Sequence, residues 1–202
     1  MGIKDIRTRL ERQKGARTKV QQSISKLIET IKNNRRQLIW HEKAREIIKD
    51  VGLKTQQQLQ YNISDITSLA LEAVFDDPYE LIAEFVQRRN KTECDLLFVR
   101  DGERMDPLTA SGGGTVDVAA FALRVASWSM QNPNSRNTII LDEPMRFVSE
   151  AYQEKASQMI KEVSQRLGLQ FIIITHNSVL ASYADRTFES VIKKGITKIT
   201  QL

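Results

Sequence analysis

Apolar residues near the start of the chain recur at alternating spacings of three and four: Ile3, Ile6 and Leu10, then Val20, Ile24, Leu27, Ile31 and Leu38. That rhythm predicts one long helix with a heptad seam. Gln13, Arg17 and Asn34 fall on the same seam. Polar residues there weaken a coiled coil and fix its register. No proline interrupts before Pro78, and no second heptad segment of similar length follows. A helix with such a stripe needs a partner, so the partner is expected from outside this sequence. Residues 41–60 continue the helical pattern, with Gly52 expected as a break or cap. Ser64 or Asp65 is the expected N-cap of a further helix through Ile66, Leu69, Ala70 and Val74, ended by Asp76-Asp77-Pro78.

The period then changes. Tyr79 to Arg88 and Glu93 to Arg100 read as strands, with Asn90-Lys91 between them, which predicts a hairpin. Asp101-Gly102 and Asp106-Pro107 read as turns. Ser111-Gly112-Gly113-Gly114 precedes a helix patterned on Val118, Ala122, Val125 and Ala126, broken at Asn132-Pro133-Asn134. Thr138 to Leu141 is a short apolar strand. Ser149 is expected to cap a helix carrying Tyr152, Ala156, Met159, Ile160, Val163 and Leu167 on one face, with Gly168 at its C-terminal end. Leu169 to Ile174 is a second apolar strand. Strand, helix and strand predict a parallel crossover buried on both faces, hence an α/β fold. The chain has no internal repeat and no low-complexity stretch.

Charge changes the picture at one end only. Over residues 1–50, 14 Lys/Arg face 6 Asp/Glu, a local balance of +8; the rest carries −3, for +5 over 202 residues. A confined basic segment suits a nucleic-acid-facing arm or simply a solvated helix surface. Cys94 is the only cysteine, so neither a disulfide framework nor a cysteine metal site forms within one chain, and a reducing compartment follows. No apolar run approaches the ~18 residues of a membrane helix. The segment Met1 to Ile6 is neither a signal peptide nor a good myristoylation site, so a cytoplasmic location is the expectation.

Three constellations carry candidate chemistry. Leu141-Asp142-Glu143-Pro144 ends an apolar strand in adjacent carboxylates, at the sheet edge where parallel folds bind ligands. Asp142 suits Mg²⁺, a hard cation. Glu143 suits a base that orients and deprotonates a water attacking a phosphoryl group. An ordinary surface turn would also explain the three residues. Ser111 to Gly114 opens a helix, where bare backbone and free N–H groups favour an anion; a plain linker has the same composition. Thr175-His176-Asn177 follows the second strand and places His176 on the edge that carries Glu143. There it can reach a terminal phosphate or its water, or be a histidine satisfied in a loop. His41, on the charged helix, reads as a surface residue.

The succession of basic coil, hairpin, Ser-Gly-Gly at a helix start, strand–Asp–Glu–Pro, helix and strand–Thr–His resembles the C-terminal lobe of ATP-binding-cassette heads in the SMC superfamily, which includes SbcC, RecN and RecF. The resemblance spans essentially the whole chain and is specific over residues 93–177. It implies a partial P-loop NTPase (ABC/SMC-type) head lobe at 61–202 behind a coiled-coil arm at 1–60. It implies a signature motif at Ser111 to Gly114 that binds the ATP of the opposite subunit, a Walker B Asp142 for Mg²⁺, a general base in Glu143 and a switch histidine in His176. A D-loop at Met145 to Ser149 would cross a head dimer. Three positions depart from the family pattern: Ala110 where Leu is common, Gly114 where Gln or Glu is common, and Ser149 where Asp is usual.

The sequence contains no Gly-Lys pair and therefore no phosphate loop of the form Gly-x-x-x-x-Gly-Lys-Ser/Thr. The expected partners are an N-lobe with Walker A and the outgoing coil helix, DNA along residues 1–50, and a nuclease subunit, but no membrane. The expected function is an SMC/SbcC-like ATPase in DNA recombination, repair or replication, hydrolysing ATP only with that N-lobe. The alternatives are a non-hydrolysing architectural coil-and-head protein and a RecF-like or defence-system component.

Overall fold

The computed structural model describes residues 2–202 apart from Asn90, Asn134 and Lys194, with the side chains of Ala110 and Lys193 also left aside. The expected turn residues Asn90 and Asn134 therefore lie outside the described residues, as does the side chain at the Ala110 departure. The chain forms two compact units, Met1–Thr55 and Gln56–Leu202.

A single helix, α1 (Ile3–Val74), supplies all of the first unit's regular structure and the opening of the second. Within the first unit every described residue is exposed, and the seam residues Ile6, Leu10, Val20, Ile24, Leu27, Ile31 and Leu38 are each about half uncovered. Gly52 does not break the helix. A glycine costs only about 1 kcal/mol against alanine in a helix interior, and Leu53, Lys54 and Gln56 to Gln58 that follow are good helix formers.

In the second unit Thr67, Leu71 and Val74 bury the end of α1. No new helix starts at Ser64. Instead the Ser64 and Ser68 hydroxyl oxygens accept hydrogen bonds from the Ala83 N–H (3.0 Å) and the Leu81 N–H (2.9 Å) of the next strand. These serines serve a sheet edge rather than a cap. That strand, β1 (Glu80–Arg88), pairs antiparallel with β2 (Lys91–Arg100), which pairs with β3 (Glu103–Met105). The β2–β3 connection is Asp101-Gly102, both at positive φ, as a two-residue hairpin loop requires.

Then follow α2 (Pro107–Ala110), α3 (Gly113–Ser129), β4 (Thr138–Asp142), α4 (Glu150–Leu167), β5 (Gln170–Ile174), α5 (Ser178–Ser182), β6 (Phe188–Lys193) and β7 (Ile196–Gln201). Asp106 caps α2, and Gly168, in the left-handed region at φ 62°, ends α4. The expected apolar face of α4 is in place through Ala156, Met159 and Ile160, while Leu167 stays 41% exposed. The core joins Leu71 and Val74 of α1, Leu81 and Phe98 of the hairpin, Val118 and Phe121 of α3, and Leu141 of β4.

β4 and β5 run parallel with Thr138 opposite Gln170 and Asp142 opposite Ile174, and α4 is the crossover between them. Their inward residues Ile139, Leu141, Phe171 and Ile173 join the core. The other face is bare: Ile140 is 66%, Ile172 46% and Ile174 58% exposed. The expectation of burial on both faces is therefore corrected, because nothing among the described residues covers the second face. Neither strand has a second neighbour among those residues. The β6–β7 hairpin, which the sequence reading did not anticipate, likewise exposes Phe188, Ile192, Ile196 and Ile199.

A surface ion pair ties the end of α1 to α4. The Lys155 ammonium, 2.5 Å from Asp76 Oδ1, donates to it and holds its carboxyl below the usual carboxylate range. A carboxyl with a lowered folded pKa adds stability above its unfolded value and loses it as pH falls through the lowered one. Lys155→Met is therefore expected to lower stability slightly at neutral pH and to converge with the wild type on acidification, as read from thermal melts across the acid range. An unchanged acid-side slope would show that the pair does not act in solution.

Candidate functional site

The parallel ladder does not stop at Asp142. The Glu143 N–H still donates to Ile174 O at 2.8 Å, but Glu143 has φ 45° and Met145 φ 62°. Left-handed conformations cost a side-chain-bearing residue about 1–3 kcal/mol each and persist only where the surroundings fix them. The sharp turn they produce brings the Glu143 carboxylate back over the end of β5. Its Oε2 accepts from the Thr175 hydroxyl (3.3 Å) and its Oε1 from the His176 N–H (3.1 Å). The His176 ring is wholly exposed, with Nε2 3.6 Å from Glu143 Oε1. The carboxylate itself is only 28% exposed. Two donors thus fix it without a neutralising partner held in the protein interior.

Glu143, Pro144, Arg146, Thr175, His176 and Asn177 line an open cavity of about 410 Å³. It offers one carboxylate, one guanidinium and one imidazole at the C-terminal edge of a parallel sheet, where such folds take ligands. Asp142 is exposed and shares the bare face of β4 with Ile140 by strand alternation. Among the described residues no three His, Cys, Asp or Glu side chains cluster as a metal site. The Asp142 carboxylate nevertheless suits Mg²⁺, which takes as few as one or two protein oxygens and fills its octahedron with water and phosphate.

Ser111 to Gly114 does not line this cavity. Ser111 closes α2, its hydroxyl donating to Pro107 O at 2.6 Å, and Gly112 is the N-cap of α3. A side chain at Gly112 would meet nothing within 4 Å, so its backbone lies open to an approaching group. The next two glycines have a packing reason. A Cβ at Gly113 would fall 3.0 Å from Phe147 Cβ, and one at Gly114 2.9 Å from Phe147 O and 3.0 Å from Val148 Cα. The departure at Gly114 follows from this close approach. Ser149 stands at the N-cap of α4, but its side chain makes no capping bond.

The structure thus brings Glu143, Thr175 and His176 together and sets Gly113 and Gly114 against Phe147 and Val148. Sequence reasoning left Asp117 and Gln153 unassigned and gave Arg146 no role of its own within the segment Met145 to Ser149. Asp117 Oδ2 accepts from the Phe147 N–H at 2.8 Å. Gln153, 7% exposed, donates to Met145 O and Val148 O. Arg146 lines the cavity. Asn177 was legible by rule, since an Asn before a helix is a favoured N-cap and it caps α5. Gln153 carries no such signal.

No family model matches the chain. Over 123 residues it is 28% identical to the lipoprotein-releasing system ATP-binding protein LolD of Shewanella frigidimarina, covering 57% of this chain and 47% of that protein. The chain spans about half the length of the curated relative it matches. Among solved structures it is similar to an SMC ATPase described for ATP-driven dimerization and DNA-stimulated activation, with a TM-score of 0.58 at 20% identity, covering 76% of this chain and 89% of the other. An Smc head bound to the C-winged helix domain of ScpA gives 0.58 at 22% identity, covering 76% and 45%. The SMC head domain from Thermotoga maritima gives 0.51 at 20%, covering 70% and 48%. Among the described residues no helix is long and apolar enough to cross a membrane. The long helix and the parallel β4–β5 pair, with the carboxylate-bearing turn at its edge, are thus set in a mixed α/β fold similar to that of SMC head domains.

Proposed function

We propose that this chain is the C-terminal half of an SMC/SbcC-like ATP hydrolase that acts on DNA in recombination, repair or replication. The observation that carries the reading is the Glu143 carboxylate, held at the sheet edge by the Thr175 hydroxyl and the His176 N–H where it lines an open cavity. A carboxylate so placed can take the proton of a water attacking a terminal phosphate. His176 orients that water or the phosphate, and Asp142 faces the metal. Mg²⁺, when bound with ATP, supplies charge neutralisation at the transferred phosphoryl group. Ser111 to Gly114 and the loop through Ser149 address the nucleotide of the opposite subunit in a head dimer. A protein that only clamps has no need of a carboxylate held in this way, which favours hydrolysis over a purely architectural role.

The grip on the nucleotide comes from an N-lobe that carries Walker A and the outgoing coil helix. Two observations support this partner: the sequence has no Gly-Lys pair, and among the described residues the second face of β4–β5 is bare. The basic segment 1–50 is the DNA-facing surface, with strong salt dependence and little sequence preference, and a nuclease subunit docks along the coil.

The test mixes this chain with a candidate N-lobe and measures ATP turnover with and without DNA. Turnover is expected in the mixture, stimulated by DNA, and absent from this chain alone. Turnover by the chain alone would overturn the division of labour. A stable complex that binds ATP but never hydrolyses it would remove the hydrolase reading.

A further inference from the structure

We propose that Gln153 and Asn177 are positioning residues that lock the 145–148 loop to the His176 loop, so that displacement of the first reaches the Glu143 carboxylate. The functional half of this inference rests on the hydrolase reading above; the mechanical half does not.

The orientation of each amide is dictated by the next. Asn177 Oδ1 accepts from the Val179 N–H (2.9 Å) and the Leu180 N–H (3.2 Å), capping α5. Its Nδ2 must therefore point away from the helix, and it donates to Gln153 Oε1 at 2.6 Å. With that oxygen engaged, Gln153 Nε2 donates to both Met145 O (3.0 Å) and Val148 O (2.7 Å). Neither amide can flip without setting oxygen against oxygen. Gln153 is 7% exposed, so water does not replace a lost partner cheaply.

The chain of bonds continues at both ends. On the loop side, the Phe147 N–H donates to Asp117 of α3, and Gly114 of the same helix packs on Phe147 and Val148. On the other side, the Asn177 N–H donates to Thr175 Oγ1 at 3.0 Å, and the Thr175 hydroxyl donates to Glu143 Oε2. Met145, at positive φ with its side chain 1% exposed, is the strained point, and Gln153 holds its carbonyl. The glycine-started helix, the strained loop and the carboxylate are thus joined by hydrogen bonds and short stretches of backbone through the side chains of Asp117, Gln153, Asn177 and Thr175. In a head dimer, where the loop meets the neighbour's nucleotide, this path lets the state of one site set the geometry of the base in the other.

The test uses the full chain and amide hydrogen exchange at single-residue resolution. Asn177→Asp and Asn177→Ser both keep a good N-cap for α5, and both remove the donor to Gln153. The amides of Phe147 and His176 are expected to exchange faster together, by about ten- to a hundredfold, the factor that a lost buried hydrogen bond corresponds to. The Val179 and Leu180 amides and the β4–β5 ladder should be unchanged. Gln153→Met, close in volume, should give the same pattern. A change confined to residues 175–180, or none at Phe147, would overturn the coupling. In the assembled head, Asn177→Asp should lower kcat and leave KM for ATP in place. An unchanged kcat beside an active wild type would overturn the positioning role. If the wild-type head itself hydrolyses nothing, the hydrolase reading fails, and the exchange pattern still decides whether the loops are coupled.

Discussion

Glu143→Gln is expected to lower ATP turnover by the assembled head about 10²- to 10⁴-fold, the range over which a positioned general base contributes, while ATP binding and ATP-dependent head pairing persist. Glutamine keeps the shape of the side chain. Its Oε1 can still accept from the His176 N–H, and its Nε2 can donate to Thr175, whose hydroxyl turns to accept. The left-handed turn at Glu143 is therefore retained, and what is lost is the ability to take a proton. Single-turnover hydrolysis beside equilibrium ATP binding separates the two effects. Turnover near the wild-type value would show that the water loses its proton elsewhere, and the central assignment would go with it. His176→Ala removes a ring that is wholly exposed and keeps the backbone N–H that holds the carboxylate, so any loss it causes belongs to the imidazole.

Gly114→Ala is expected to destabilise the second unit by about 1–3 kcal/mol, the usual cost of forcing a methyl group into filled space. The added Cβ would stand 2.9 Å from Phe147 O and 3.0 Å from Val148 Cα, both backbone atoms. Backbone cannot swing aside as the end of a side chain does, and this segment is held by Gln153 and Asp117. Alanine gains up to about 1 kcal/mol of helix propensity over glycine, which offsets part of the cost without reversing it. The control is Gly112→Ser. That position has the extended backbone of an N-cap and open space around it, and serine outranks glycine there, so stability should hold or rise by a few tenths of a kcal/mol. Urea unfolding of both variants measures the contrast. If Gly114→Ala unfolds at the wild-type midpoint, the loop is softer than its bonding implies, and the packing reason for glycine at this position falls.

Much of this fold was legible in the sequence because its signals are local. The β1–β2 hairpin, the Asp101-Gly102 turn, the glycine run at a helix start, Gly168 past the end of α4 and the two apolar strands each rest on short-range signals. The strands also placed Glu143 and His176 at one sheet edge, since parallel strands end together. What was not legible depends on distant partners. Gly52 looked like a break, yet its cost is small beside the helical preference around it. Ser64 looked like a cap, but its hydroxyl serves the Ala83 N–H nineteen residues on. Gln153 was left unassigned. It is buried because the carbonyls of Met145 and Val148 require donors, and nothing in the local sequence announces that need. The left-handed turns at Glu143 and Met145 are hidden for a similar reason: neither residue type favours them, and the surrounding bonds impose them.

The uncovered side of β4 and β5 bears on how much of this protein a cell can hold. Among the described residues, two adjacent strands with open edges and a row of isoleucines form a template on which other extended chains can add. Under the proposed division into two lobes, copies made in excess of the N-lobe become seeds for aggregates or substrates for proteolysis. Supply of that lobe, in amount and in timing, would then set a ceiling on the useful abundance of this chain.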